Sequence, residues 1–273
     1  MTRLSVPRMS VVLWLAVVAG GVWVLVNLAV YAWRANVLRS LRSCDRPALA
    51  PPAAARAFLV EVVASAVARL SPPITDHQSP TTGNQGIVIL IHDFGLGSGS
   101  FRLLRRRLER AGWQTIALDH GRRRTDARTL AAELRSRIEA IDPARSVVLL
   151  GHGFGGLIAR LYGRDYGPLR VRRIVTLGTP HRGSVLSSLH GPLRSILQPR
   201  GRLLAYLEAS DPVTKQFDVI TLSSPFDAFV LPPANAEYSG AFNIQIAGVG
   251  HDALLFSGKV FELIEENLVV PVE

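Results

Sequence analysis

Short apolar segments alternate with helical patterns from Gly86 onward, and this alternation constrains the fold more than any other feature of the chain. Six runs have the length and composition of strands: Ile87 to His92, Thr115 to Asp119, Ser146 to Gly151, Arg173 to Leu177, Val219 to Leu222 and Phe242 to Ala247. Four segments carry Leu, Ile and Ala at helical spacing: Phe101 to Ala111, Arg128 to Ile141, Leu157 to Tyr166 and Lys259 to Asn267. Because the apolar residues of the strands run on without alternation, both faces of each strand are expected to be buried. The pattern predicts an α/β domain over residues 86–273 with a doubly wound, mostly parallel sheet.

An apolar segment precedes this domain at residues 11–33, where Asn27 is the only strongly polar residue. As a helix, the segment would extend about 35 Å, which is enough to cross a hydrocarbon core of about 30 Å. It predicts one transmembrane helix behind a short tail of residues 1–10. The alternative is a cleaved signal peptide, but the run exceeds the usual apolar region of about 7 to 15 residues and arginines follow it directly.

Basic residues flank the apolar segment unequally. Two arginines precede it and four follow it within residues 1–50, and the whole chain has a net charge of +10. Because basic residues favour the cytoplasmic side of a membrane, this bias predicts a single-pass protein of a bacterial inner membrane whose domain faces the cytoplasm. The lipid bilayer is then the expected partner of residues 11–33.

Residues 34–85 are interpreted as a connector rich in proline and alanine. Prolines cluster at both ends, and Ala53 to Leu70 between them has few charges, which predicts an amphipathic helix. The sequence leaves open whether this helix lies on a bilayer or packs against the domain.

The composition limits the chemistry available to the chain. Cys44 is the single cysteine, which excludes an intramolecular disulfide framework and a thiolate zinc site. No set of His, Asp and Glu residues has the spacing of metal ligands along the sequence, so neither a metal nor a cofactor is predicted.

Glycine-rich and polar motifs follow the predicted strands, at the edge where open α/β sheets bind their ligands. The motifs are His92-Asp93-Phe94-Gly95 after the first strand, Gly151-His152-Gly153-Phe154-Gly155-Gly156 after the third, and Gly178-Thr179-Pro180-His181-Arg182-Gly183 after the fourth. Asp227 follows the fifth strand in a D-x-x-V-x-P run, and His251 follows the last. A glycine-rich turn before a helix also suits a nucleotide phosphate, but this one does not match G-x-G-x-x-G in a full βαβ setting.

In their order along the chain, these motifs resemble the α/β-hydrolase superfamily, and the GTPHRG run is most similar to bacterial lipases and related esterases. The resemblance covers about residues 86 to 268. It implies an α/β-hydrolase fold with Asp227 as the catalytic acid and His251 as the base, in the chain order nucleophile, acid, base. It also implies an oxyanion hole formed by the amides of Phe94 and Phe154.

The sequence departs from this pattern at the nucleophile. Gly153 stands where family members carry serine, and glycine has no side chain that can attack a carbonyl carbon. Asp93 stands where the oxyanion loop has a glycine, and a carboxylate there opposes a developing oxyanion. We therefore expect a pseudoenzyme that binds an apolar or acyl ligand or a partner. The alternatives are an active carboxylic-ester hydrolase, or another base-catalysed enzyme, that uses Asp227 and His251.

Two further segments bear on ligands. Residues 184–217 interrupt the alternation with leucines at near-helical spacing and resemble the cap insertion of lipase-like proteins, which implies an apolar ligand such as an acyl chain. Residues 101–124 contain eight arginines and two acidic residues. Next to a membrane segment, this basic stretch favours anionic lipid headgroups as a partner. No nucleic-acid-binding motif accompanies it, so nucleic acid is not an expected partner.

Overall fold

The computed structural model describes residues 11–40, 51–74, 85–121, 126–188, 197–209 and 211–268. The chain divides into two compact units, Met1–Arg42 and Ser43–Glu273. The first unit contains helix α1 (Val11–Ser40), which includes the predicted span. Within the described residues, no helix combines the length and the apolar character that a membrane crossing requires. The transmembrane segment therefore stays a prediction.

The second unit is built on a six-stranded sheet. Its strands are β1 (Ile87–Ile91), β2 (Gln114–Leu118), β3 (Val147–His152), β4 (Val171–Leu177), β5 (Asp218–Ser223) and β6 (Phe242–Gln245). They lie in the order β2-β1-β3-β4-β5-β6, and every neighbouring pair is parallel. All six predicted strands are therefore present, and the prediction of a doubly wound parallel sheet is confirmed.

Helices cover both faces of this sheet. The helices of the second unit are α2 (Pro51–Leu70), α3 (Arg102–Arg110), α4 (Ala127–Glu139), α5 (Phe154–Tyr166), α6 (Arg202–Glu208), α7 (Val213–Gln216) and α8 (Gly258–Leu268). Leucines of α3 and apolar residues of α8 share one buried cluster with alternate residues of β1 and β3, such as Val88 and Val148. Helix α5 packs on β1, β3 and β4 and also contacts α4. Burial of both faces explains why the strands are apolar throughout.

The strand order creates a crevice between the ends of β1 and β3. These strands are neighbours, but the chain leaves β1 for β2 on one side and leaves β3 for β4 on the other. The two connections diverge at such a switch point, and ligands of open α/β sheets bind there. Asp93 follows β1 and Gly153 follows β3, so both lie at this crevice.

Helix α2, in the segment interpreted as a connector, belongs to the second unit and packs against its α/β domain. It contacts two short 3-10 turns, Ser98–Phe101 and Asp252–Leu255. One face of α2 is buried, including the carboxylate residue Glu61, while Leu59 and Val63 on another face are exposed. Of the two placements that the sequence left open, packing against the domain is therefore observed.

The insertion at residues 184–217 is described only in part. It contains a 3-10 turn at Val185–Ser188 followed by α6 and α7. Its buried leucines are Leu186, Leu197, Leu204 and Leu207. Leu189, Leu193 and Ile196, which contribute to the predicted helical spacing, lie outside the described residues, as do Arg122, Arg123 and Arg124 of the basic stretch.

Candidate functional site

Gly153 forms a sharp turn between β3 and α5. Its backbone has φ +53° and ψ −117°, a conformation in which a residue with a side chain is strained by about 1 to 3 kcal/mol. The first turn of α5 also lies against the end of β1, where a Cβ on Gly155 would overlap the carbonyl oxygen of Ile91. The glycines therefore permit both the turn and the close approach of α5 to the sheet.

Asp227 and His251 meet at the carboxyl edge of the sheet. His251 Nδ1 lies 2.7 Å from Asp227 Oδ2, and both side chains are buried. The other carboxylate oxygen of Asp227 accepts hydrogen bonds from the amides of Phe229 and Val230, at 2.6 and 3.0 Å. The structure thus brings together the two residues to which the resemblance assigns the acid and base positions.

Asp93 fills the space in which a nucleophile would lie. A Cβ built on Gly153 would come within 2.7 Å of Cγ and of both carboxylate oxygens of Asp93. Asp93 Oδ2 lies 3.2 Å from His251 Nε2, and Asp93 Oδ1 accepts a hydrogen bond from the amide of Phe154 at 2.5 Å. The Asp93 carboxylate therefore takes the place of the nucleophile beside His251, and it also binds one amide of the expected oxyanion hole.

His251 lies between two carboxylates and is held in its protonated form. Its two ring nitrogens face Asp227 and Asp93, and ionised carboxylates only accept hydrogen bonds, so both nitrogens donate. Burial lowers the pKa of His251, but the charges and hydrogen bonds of Asp227 and Asp93 outweigh it and hold the pKa well above its ordinary value. For Asp93, burial raises the pKa, but His251 and the Phe154 amide lower it to about 2. This arrangement thus favours a protonated imidazole that donates hydrogen bonds over one that acts as a base.

A small cavity of about 50 Å³ lies over Gly153. Its walls combine Arg69, Asp93 and His251 with apolar side chains: Phe94, Phe154, Pro180, Leu197, Phe229 and Val230. Small-molecule sites usually measure about 300 to 1,000 Å³, so this cavity holds a water-sized group rather than an acyl chain.

The fold also assembles a cluster that the sequence did not reveal. Within the described part of the chain, Asp93, His152 and His251 place one potential ligand atom each within 4.8 Å of one another. Their positions are 59 and 99 residues apart, since 152 − 93 = 59 and 251 − 152 = 99. No local spacing signals such a set, because only the pairing of β1 with β3 brings Asp93 to His152.

Helix α2 supports the loop that carries His251. The carboxylate of Glu61, which is 1% exposed, accepts hydrogen bonds from the amides of Asp252 and Ala253, each at 2.9 Å. Asp252 in turn accepts hydrogen bonds from Ser65 and Arg69 of the same helix. Sequence reasoning missed these contacts because it treated the segment as a connector, where a single glutamate reads as a solvated residue.

The burial of Glu61 predicts a pH-dependent stability. Burial, together with the charge of Asp252, raises the pKa of Glu61 from 4.5 to about 7. The carboxyl group therefore contributes stability that is complete below the unfolded pKa and is lost as the pH rises through the folded pKa. We expect the free energy of unfolding of the wild type to fall relative to that of Glu61→Gln between about pH 5 and pH 8, as measured by urea unfolding.

The comparison with Glu61→Gln isolates this group. Arg69, Asp252 and His251 surround the same loop in both proteins, so the difference between the two curves reports position 61. A difference that stays constant across this pH range contradicts the assigned pKa.

Comparisons with known proteins agree with this architecture. The sequence profile of a family described as having an alpha/beta hydrolase fold matches residues 86–218. Among solved structures, the monoacylglycerol lipase of Paleococcus ferrophilus is 19% identical with a TM-score of 0.53, covering 69% of this chain and 95% of that one. Aspergillus fumigatus lipase B is 17% identical with a TM-score of 0.61, over 71% of this chain and 55% of its own. A carboxylesterase structure from Nitrososphaera gargenis is 14% identical with a TM-score of 0.51, and the match covers 71% of this chain and 92% of that one.

At these low sequence identities, the structural matches support only the fold. The profile match, the six parallel strands and the turn at Gly153 agree with one another. Together they show that this part of the chain has an α/β-hydrolase fold.

Proposed function

We propose that this protein is a pseudoenzyme of the α/β-hydrolase superfamily that has lost serine-dependent ester hydrolysis and binds an apolar ligand or a partner at the former active site. The observation that carries this proposal is the position of Asp93, whose carboxylate overlaps the volume of any side chain at position 153. With Asp93 in this position, the site has neither the serine nor the space for its side chain.

Two further features support the loss of hydrolysis. The amide of Phe154, which the superfamily pattern assigns to the oxyanion hole, already donates to Asp93. A negative charge at that amide disfavours a second negative charge on a reaction intermediate. The two carboxylates raise the pKa of His251, and its Nε2 faces Asp93, which opposes a role as base in this arrangement.

The alternative is an active hydrolase, or another base-catalysed enzyme, that uses Asp227 and His251. It is favoured by the short contact between these two residues, which is the geometry of a working acid and base pair. It requires Asp93 to move away from His251 Nε2 before any base catalysis.

Assays on p-nitrophenyl esters distinguish the two functions. As a pseudoenzyme, the wild-type chain should hydrolyse these esters no faster than buffer, and His251→Ala should change nothing. Turnover by the wild type that disappears in His251→Ala contradicts the proposal and supports the alternative.

We further propose that residues 184–217 form a cap over an apolar or acyl ligand. The support is the apolar wall of the cavity, to which the insertion contributes Leu197. Because the cavity measures only about 50 Å³, an acyl chain enters only if this cap moves.

Calorimetry with a long-chain fatty acid tests the cap. We expect binding by the wild type and at least about tenfold weaker binding by Leu197→Asp, because a carboxylate in the wall opposes burial of an acyl chain. Leu103→Asp is the matched control, since Leu103 is exposed on α3. Equal effects of the two substitutions, or no binding by the wild type, contradict a cap over an acyl site.

We also propose that residues 11–33 anchor the protein in a bacterial inner membrane with the domain in the cytoplasm. The apolar sequence of the segment and its arginine bias support this placement, and the arginines of residues 101–124 suit anionic headgroups. The protein should stay with membranes after a high-salt wash, because apolar burial does not depend on charge. Release by salt contradicts the anchor, and digestion of the domain by protease added to intact spheroplasts contradicts the orientation.

A further inference from the structure

We propose that Asp93, His152 and His251 form a binding site for one divalent transition-metal ion of the zinc class. This inference goes beyond the proposed function and does not depend on an apolar ligand. The three side chains offer two imidazole nitrogens and one carboxylate oxygen, all within 4.8 Å of one another. Two histidines and one carboxylate form a donor set that suits zinc and neighbouring divalent metals.

The Asp93–His251 pair already has the separation of two ligands on one ion. Metal–ligand bonds of about 2.0 to 2.2 Å place two neighbouring donor atoms roughly 3 Å apart. Asp93 Oδ2 and His251 Nε2 are 3.2 Å apart. The ligand atom of His152 lies at most 4.8 Å from each of these two atoms. A small movement of His152 toward the pair would complete the site.

Both histidines are oriented in the manner of metal ligands. Metal-binding histidines usually donate their second ring N–H to a carboxylate or a backbone carbonyl, which fixes the ring and its tautomer. His251 makes this contact with Asp227 through Nδ1, and His152 makes it with the carbonyl oxygen of His251 through Nε2, at 3.1 Å. The ion would displace the proton that His251 Nε2 donates to Asp93, and His152 Nδ1 would supply the second nitrogen.

His152 provides a second observation that points to a ligand. Its side chain is fully buried, and its Nδ1 has no hydrogen-bond partner within the described residues. A buried polar atom without a partner costs stability. Coordination of a metal ion removes this cost.

The surroundings favour a cation. Asp93 and Asp227 are both carboxylates, and the positive charge of Arg69, which also lines the cavity, is paired with Asp252. Gly153 puts no side chain among the three ligands, and the cavity of about 50 Å³ above it leaves room for a water molecule in a fourth position.

Metal titration of the untagged full-length chain tests the site. After removal of metals with a chelator, calorimetry with ZnCl₂ should show one ion bound per chain, and Co²⁺ should give a visible absorption band of a nitrogen and oxygen site. Asp93→Asn and His152→Gln should each weaken Zn²⁺ binding by about 100-fold or more, because each removes one of three ligands. Asp227→Asn should weaken it by about 10- to 100-fold, because Asp227 only orients His251.

His181→Gln is the matched control, since His181 is buried against Thr176 and does not belong to the cluster. It should leave Zn²⁺ affinity unchanged. The proposal is overturned if the folded wild type binds no Zn²⁺, or if Asp93→Asn and His152→Gln bind it as tightly as the wild type. If His152→Gln does not fold, Asp93→Asn still decides the result, because Asn has the shape of Asp. The metal titration does not depend on the results of the ester and fatty-acid assays. Failure of the proposed function can therefore be distinguished from failure of the metal site.

Discussion

Gly153→Ser alone should give a less stable protein with no esterase activity. The new Cβ would overlap the Asp93 carboxylate, and serine would adopt the strained backbone conformation of Gly153. Overpacking and backbone strain each cost about 1 to 3 kcal/mol, so the free energy of unfolding should fall by about 2 to 5 kcal/mol. Urea unfolding measures this loss, and hydrolysis of p-nitrophenyl esters measures the activity.

Adding Asp93→Gly to this variant should reverse both effects in part. Removal of the carboxylate makes room for the serine side chain, frees the amide of Phe154 and frees Nε2 of His251. The double variant should be more stable than Gly153→Ser and should hydrolyse the ester about 100-fold faster than the wild type, because a nucleophile then meets a free base. His251→Ala should abolish this gain.

The two substitutions are therefore expected to be strongly coupled rather than additive. A Gly153→Ser variant as active as the double variant contradicts the position assigned to Asp93. A folded double variant without any gain contradicts the triad geometry assigned to Asp227 and His251.

Glu61→Ala should lower the free energy of unfolding by about 2 to 4 kcal/mol, because it leaves two buried amides unpaired and opens a void beside the His251 loop. Urea unfolding monitored by circular dichroism measures the loss. The matched control is Glu262→Ala, since Glu262 is exposed on α8, and it should change stability by less than about 0.5 kcal/mol. Similar effects of the two substitutions contradict the role of α2 as part of the domain.

The sheet was predictable from the sequence because strands buried on both faces leave continuous apolar runs. Ile87–Ile91 is such a run and forms β1 within one residue of its predicted end. The meeting of Asp227 with His251 followed from their places after two neighbouring strands, which the superfamily resemblance made specific. The strands, the helices and their order depend on local sequence patterns, so they could be predicted.

The contacts of Asp93 were not predictable in the same way. The sequence identified Asp93 as a charge that opposes an oxyanion, but not as a group that fills the nucleophile's space. That conclusion requires the side chain's position relative to Gly153, which depends on how the loops after β1 and β3 pack.

Glu61 and His152 were missed for a related reason. Glu61 lies in an alanine-rich helix and His152 lies at the end of a strand. No local sequence pattern around either residue indicates a buried partner. Their partners, Asp252 and the backbone of His251, come from the last part of the chain. Only the tertiary contact reveals them.

The most direct test of the central claim is reaction of the full-length chain with a fluorophosphonate probe, followed by intact mass measurement. The probe forms a covalent bond with an activated serine. With Asp93 in the place of the nucleophile, the wild type should remain unmodified, whereas the Asp93→Gly/Gly153→Ser variant should gain one adduct at position 153. A single stoichiometric adduct on the wild-type chain would show an activated serine elsewhere and would contradict the assignment of this site as non-hydrolytic.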